Sequence, residues 1–293
     1  MLDAHHVARI LSVIDRSDDA EVTLELNPED AHPTYLRDIR EAGVTRLSVG
    51  IQSTASHVLR ALGRVHRADG ARALSQMIDA IGFVSWSMDL IVGTVGESDR
   101  DLMESIETVL DHGAAPPHLS AYLLTPERAT ALGKDRRRHP DEETLADRYL
   151  LLSEALEARG YGCYEISNFA KPGHECRHNL LYWNQGDYLG VGPAAHGHHH
   201  GRRSWRIANL DTWLHHVALE ISTEAGFELV DAAAAHLERA ALALRTREGV
   251  PAQMLPNARE LDAFVSLRGD RVVLTPRGRL MADEIARRLE ITA

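Results

Sequence analysis

The sequence predicts an α/β protein, a partial parallel (β/α) barrel followed by a smaller α+β module. Three observations predict it. Short runs rich in alternating apolar and β-branched residues recur at 21–28 (EVTLELNP), 46–53 (RLSVGIQS) and 85–93 (SWSMDLIVG), with helical patterns between them. Strand, helix, strand in that rhythm is the signature of a parallel sheet. Each run carries a polar residue in or near its second half, namely Glu25 with Asn27, Gln52 and Asp89. From about residue 227 the rhythm changes to helix, turn, short helix, the hairpin-like VSLRGDRVVLT and a last helix.

Residues 1–16 have Leu2, Val7, Ile10, Leu11 and Ile14 at helical spacing. A turn over 17–20 leads to the first strand, and Pro28 with Glu29 suits the first turn of the next element. A helix over 32–42 stops at Gly43, and the second strand comes after it. A helix from Ser56 and a longer one over 70–81, ended by Gly82, lead to the third strand. Ser98 is the expected N-cap of a helix to residue 110. A fourth strand is expected over 117–125, then a charged, solvated connection over 129–141. An amphipathic helix over 142–159 stops at Gly160, and a fifth strand is expected over 162–169. Residues 170–204 are rich in Gly, His and aromatics with little periodicity, which reads as loop with short strands. Helices over 210–219, 231–244 and 276–289 and the hairpin near 265–275 complete a winged-helix-like tail. The expected division is 1–170, a connecting region 171–225, and 226–293.

The chain has 293 residues and a net charge of -11, which argues against general affinity for nucleic acid. No apolar run approaches the roughly 18 residues that span a bilayer. The first residues do not read as a signal peptide. Two cysteines, Cys163 and Cys176, are too few for a disulfide framework and lack the close spacing of a zinc or redox pair, so a reducing cytoplasm is expected.

A charge in an apolar strand must find water, a ligand or a partner. Glu25 and Asp89 therefore either face a ligand at the barrel mouth, or Glu25 pairs with a neighbouring Arg and Asp89 caps the next helix. Arg64, in ALGRVH, reads alone as a surface residue. The turn at 93–97 (GTVGE) either offers backbone N–H groups to a ligand or is a tight turn. A second cluster, CRHNLLYW at 176–183, precedes Tyr188, His196 and the run His198-His199-His200. Imidazole ligates transition metals and haem iron, so either a ring-lined iron pocket or a packed aromatic loop fits. The histidine run could take up metal or simply be solvated. No Ser–His–Asp order, phosphate-cradling Gly-Lys-Thr loop or His-Glu-x-x-His motif occurs.

The motifs LELNPE (24–29), GVTRLSVGIQS (43–53), LGRVH (62–66), DLIVGTVGES (89–98), HLSAYLL (118–124), YEISNFAKPGHECRHNLLYW (164–183) and YLGVGPAAHG (188–197) stand in a familiar order. In them the chain resembles, over essentially its whole length, the radical S-adenosylmethionine haem chaperones of the oxygen-independent coproporphyrinogen III oxidase-like family. The resemblance implies a partial radical SAM barrel with a C-terminal module. It implies that Glu25, Gln52, Arg64 and Asp89 contact S-adenosylmethionine, Arg64 through its carboxylate. It implies that His178, Asn179 and Tyr182 belong to a haem-binding motif, with His178 the candidate iron ligand. It further implies haem delivery to acceptor proteins, with peripheral membrane association for that delivery.

The family's Cys-x-x-x-Cys-x-x-Cys motif for a [4Fe–4S] cluster and its Gly-Gly-Gly-Thr-Pro-Ser turn are not in this sequence, and Val95 stands where the family usually has proline. The sequence therefore reads as an N-terminally truncated barrel that performs no radical chemistry as written. Its first strand is expected to leave an exposed edge, a route to dimerisation. Two other readings stand beside this one: a cluster-free haem-binding protein, and a coproporphyrinogen III oxidase of porphyrin biosynthesis. His-Asn-x-x-Tyr favours the chaperone branch.

Overall fold

The computed structural model describes residues 2–64, 70–111, 113–127 and 130–290. Val65 and His66 of the LGRVH motif, and Ala129 at the start of the charged connection, lie outside them. The chain forms two compact units, Met1–Glu175 and Cys176–Ala293.

The first unit alternates α1 (Ala4–Ser12), β1 (Thr23–Leu26), α2 (Pro33–Glu41), β2 (Arg46–Gln52), α3 (Ser56–Ala61), α4 (Ala71–Ile81), β3 (Ser85–Val92), α5 (Asp99–Leu110) and β4 (His118–Leu123). It ends with α6 (Ala131–Lys134), α7 (Glu142–Glu157), β5 (Gly162–Glu165) and β6 (Asn168–Ala170). The sheet order is β1-β2-β3-β4-β6-β5; β1 to β4 run parallel, and β6 and β5 close the far side antiparallel. This is a partial barrel with β1 at its edge.

The alternation seen in the sequence decides which way each strand faces. Leu47, Val49 and Ile51 of β2, Trp86, Met88, Leu90 and Val92 of β3, and Leu119 and Ala121 of β4 point to one side. There they pack with Leu36 and Ile39 of α2, Leu74 and Ile78 of α4, Leu102 and Ile106 of α5, and Leu152 and Leu156 of α7. Each such aliphatic side chain, fully buried, contributes about 1.5–3 kcal/mol. The intervening residues Arg46, Ser48, Ser85, Ser87, Asp89, His118 and Ser120 are polar and share the opposite, inner face. Helix starts obey the expected chemistry: Ser98 Oγ accepts from Asp101 N at 3.2 Å while Asp101 Oδ2 accepts from Ser98 N at 2.8 Å, a reciprocal cap.

Residues 162–169 are two strands rather than the expected one. The chain reverses at Ile166-Ser167, where the Glu165 carboxylate accepts from Ser167 N at 3.2 Å and from the Asn168 amide. A turn stabilised by a side chain needs neither Gly nor Pro, so periodicity reads straight through it. The charged connection after 129 contains the short α6 and a 3-10 turn at Arg136–Arg138.

The second unit contains α8 (Arg177–Trp183), β7 (His196–His199), β8 (Arg202–Arg206), α9 (Leu210–Ala218) and β9 (Glu224–Leu229). It continues with α10 (Ala232–Leu244), β10 (Val250–Pro251), β11 (Val265–Arg268), β12 (Arg271–Leu274), α11 (Pro276–Leu280) and α12 (Ala282–Ala286). Strands β7-β8-β9 form one antiparallel sheet, and β10-β12-β11 form the wing after α10. The boundary expected at 225 falls inside β9, which pairs with β8, so residues 176–225 and the tail share one unit. The single helix expected over 276–289 breaks at Met281 into α11 and α12. Among the described residues no helix is long and apolar enough to cross a membrane.

The turn after β3 depends on Gly93. Its φ is +92°, and a Cβ there would lie 2.0 Å from Leu145 Cδ2. Gly93→Ala is expected to lower stability by about 1–3 kcal/mol through strain and overpacking. Urea unfolding of the two proteins checks this, and an unchanged midpoint would contradict the packing described.

Candidate functional site

The inner face of the sheet is built in rows by register. Arg46 pairs with Ser85 in the first row. Glu25, Ser48, Ser87 and His118 form the second. Asp89, Ser120 and Asn168 form the third. Ser48 Oγ donates to Asp89 Oδ2 at 2.7 Å and Ser87 Oγ donates to Asp89 Oδ1 at 3.1 Å; the Ser120 hydroxyl is a third partner. Burial nevertheless pushes the Asp89 carboxyl above the usual aspartate range, against the three hydroxyls that favour its charge, and the Glu25 charge adds to the rise.

Gln52 is buried at the carboxyl end of β2, with φ 65° just past a shift in the β2–β3 register. Its side chain folds back over Gly50: a Cβ on Gly50 would stand 2.5 Å from Gln52 Nε2. Arg64 Nη1 donates to Asn27 Oδ1 at 3.0 Å, which ties it to the carboxyl end of β1. The four residues expected from the sequence, Glu25, Gln52, Arg64 and Asp89, thus lie on the adjacent strands β1, β2 and β3 and the segment after α3. Two carboxylates on the inner face, with an amide and a guanidinium at the carboxyl ends of β2 and β1, offer groups that suit a ligand with hydroxyls, an ammonium and a carboxylate of its own.

Sequence reasoning missed the amino-end layer. Arg46 is buried, donating from Nη1 to Ser85 Oγ at 2.8 Å and to His174 O at 3.3 Å. His118, also buried, shares a 2.8 Å hydrogen bond between Nε2 and the Tyr164 hydroxyl. Burial, with the nearby Arg46 and His174, drives the His118 pKa well below the ordinary histidine value, so it is neutral. Their signal was present as polar residues at alternate positions of apolar strands. The 93–97 turn is tight: Gly93 N donates to Glu97 Oε2 at 2.6 Å and Glu97 N donates to Thr94 O at 3.0 Å. Burial raises the Glu97 carboxyl, opposed by that N–H and by Arg148.

In the second unit His178 and Tyr182 stand one turn apart on α8, their rings edge-on with centroids 4.7 Å apart and planes at 89°. Tyr182 meets Tyr188 at 4.4 Å, and Tyr188 meets His198 at 6.2 Å. Backbone bonds between Tyr188 and His198 at 2.8 and 2.9 Å fix the second half of this run. His178 is exposed, as are Leu189 (82%) and Val191 (89%) beyond Tyr188. Asn179 is the next residue after His178 and is turned roughly 100° around the helix from it. An imidazole flanked by rings, with exposed aliphatic side chains close in sequence, fits a flat apolar ligand carrying a metal. Cys163 and Cys176 are half-buried and form no disulfide.

A family model described as the radical SAM superfamily matches residues 2–109. The heme chaperone HemW of Mycobacterium tuberculosis (strain H37Rv) is 43% identical over 282 residues, covering 92% of this chain and 72% of the relative. HemW of Escherichia coli (strain K12) is 38% identical over 179 residues, 61% of this chain and 47% of the relative. Among solved structures, coproporphyrinogen III oxidase (HemN) from Escherichia coli, a radical SAM enzyme, superposes with a TM-score of 0.82 at 18% identity, over 98% of this chain and 74% of that one. At that identity the likeness is one of fold.

The raised Asp89 pKa has a definite consequence for stability. The folded chain holds a proton that the unfolded chain, near 3.8, has released, so stability falls as pH rises through the window above 3.8. Asp89→Asn removes this penalty. Its urea midpoint is expected to match the parent below pH 3.8, to exceed it as pH rises above 3.8, and to keep a constant excess once the folded carboxyl has ionised. A difference independent of pH would count against the burial argument.

Proposed function

The chain belongs to the radical S-adenosylmethionine haem-chaperone family, and from that premise we propose that it binds haem at the His178 face of α8 and passes it to acceptor proteins. The observation that carries this reading is the run of rings His178, Tyr182, Tyr188 and His198, open to solvent at His178. Haem is cargo in this reading. His178 supplies the iron ligand, Tyr182 and Tyr188 flank the porphyrin, and Asn179 completes the motif. An exposed site suits a carrier, because cargo must leave as readily as it enters. The acceptors are haem-requiring proteins, met in the cytoplasm or with the chaperone peripherally at a membrane; the edge strand β1 leaves a homodimer as a further expectation.

The inner face of the first unit is proposed to hold S-adenosylmethionine. Glu25 and Asp89 accept from its polar groups, Arg64 binds its carboxylate and Gln52 closes the rim. Nothing in this reading passes through an iron–sulfur cluster, since this chain's cysteines do not provide one.

Haemin titration monitored by Soret absorbance tests the first proposal. His178→Ala is expected to weaken binding at least about tenfold, whereas Tyr182→Phe keeps the ring and is expected to retain most of it. Unchanged haemin affinity in His178→Ala removes the proposed ligand. Equilibrium dialysis with S-adenosylmethionine tests the second. Gly50→Ala displaces the Gln52 amide, the flexible end of a side chain, and is expected to weaken binding severalfold with little change in the unfolding midpoint. Equal affinity would show that the Gln52 amide is not at the ligand.

A further inference from the structure

Consecutive imidazoles at the tip of the β7–β8 hairpin converge on one carboxylate. Asp187 Oδ2 lies 3.3 Å from His199 Nδ1 and 3.3 Å from His200 Nδ1, and Asp187 Oδ1 lies 3.6 Å from His198 Nδ1. Donor atoms of Asp187, His199 and His200 all fall within 4.8 Å of one another. The 3.3 Å separations lie at the long edge of N–H···O hydrogen bonding, with both imidazoles directed at the same carboxylate oxygen. They also match a coordination edge: two ligand atoms each about 2.0–2.1 Å from a tetrahedral ion stand about 3.3 Å apart.

The backbone produces this convergence. Successive residues of a strand point to opposite faces, so His199 and His200 would diverge if the strand continued. The hairpin instead turns through His200 and Gly201, with φ values of 49° and 75°, and the two imidazole centroids come within 4.1 Å. A non-glycine residue at such a φ is uncommon. It is held here by its own N–H, which donates to Asp187 Oδ1 at 2.9 Å. His198 Nδ1 is 3.0 Å from Gly186 O, where it donates a hydrogen bond, so that this nitrogen positions the loop that carries Asp187 rather than serving as a ligand beside it. Asp187, His199 and His200 are exposed, so solvent can complete the shell.

We propose that Asp187, His199 and His200 form a binding site for a divalent transition-metal ion of the zinc, cobalt or nickel type. Two imidazoles with one carboxylate suit these borderline ions rather than calcium or magnesium. The site does not depend on the haem reading, although Asp187 is the neighbour of Tyr188.

Titration of the whole chain with Co²⁺, read by visible ligand-field absorption, tests the proposal. The parent is expected to show one saturating site that Zn²⁺ displaces. The double variant His199→Ala/His200→Ala is expected to lose that equivalent. Asp187→Asn can still accept the His200 N–H, so it preserves the turn while removing the charged ligand, and is expected to bind at least about tenfold more weakly. His178→Ala is expected to bind Co²⁺ as the parent does. The chain has 17 histidines, so the decisive signal is the difference between parent and double variant. If both Asp187→Asn and the double variant bind Co²⁺ as the parent does, or if His178→Ala abolishes the site, the proposal is overturned.

Discussion

Burial of one side of each parallel strand against helices is the constraint on which the rest of the first unit depends. Leu47, Val49, Trp86, Met88, Leu90, Leu119 and their neighbours leave water together with the inward faces of α2, α4, α5 and α7. Because a strand has period two, fixing the apolar side also fixes where Arg46, Ser48, Ser87, Asp89, His118 and Ser120 go. The polar inner face is thus a by-product of the core, and its rows are as well ordered as the core behind them.

That face carries an electrostatic cost. Three hydroxyls surround the Asp89 carboxylate, yet no cation is among the partners that govern its titration, and burial leaves its pKa raised. Arg46 is buried with a hydroxyl and a carbonyl as its hydrogen-bond partners, and His118 keeps an Nδ1 with no partner among the described residues. Such groups do little for stability. The proposed S-adenosylmethionine site would give Asp89 and Glu25, linked through Ser48, a role that the fold alone does not supply.

The second unit works by a different logic. Its ring run lies on a short helix and a hairpin, with exposed imidazole and aliphatic groups rather than an enclosed cavity. In the proposed reading a haem there would be held by contact with these rings and by the His178 imidazole. This matches what the names of the curated relatives say of those proteins and differs from the polar, recessed rim of the first unit.

The sequence by itself determined the strands, the helices between them and the parallel order, because period-two and period-3.6 patterns are local. It also marked Glu25, Gln52 and Asp89, since an isolated charge or amide in an apolar run is conspicuous wherever it folds. Arg46 and His118 left only the trace of polar residues at alternate strand positions, and the serines around Asp89 were not legible, because a serine in a strand means nothing until register sets it beside a carboxylate from another strand. The reversal at Ile166-Ser167 was hidden for a similar reason, its turn being stabilised by a glutamate side chain rather than by Gly or Pro. The pairing of β7, β8 and β9 and the gathering of His199, His200 and Asp187 also belong to tertiary structure alone: they depend on a left-handed turn and long-range hydrogen bonds, and neither leaves a periodic trace in the chain.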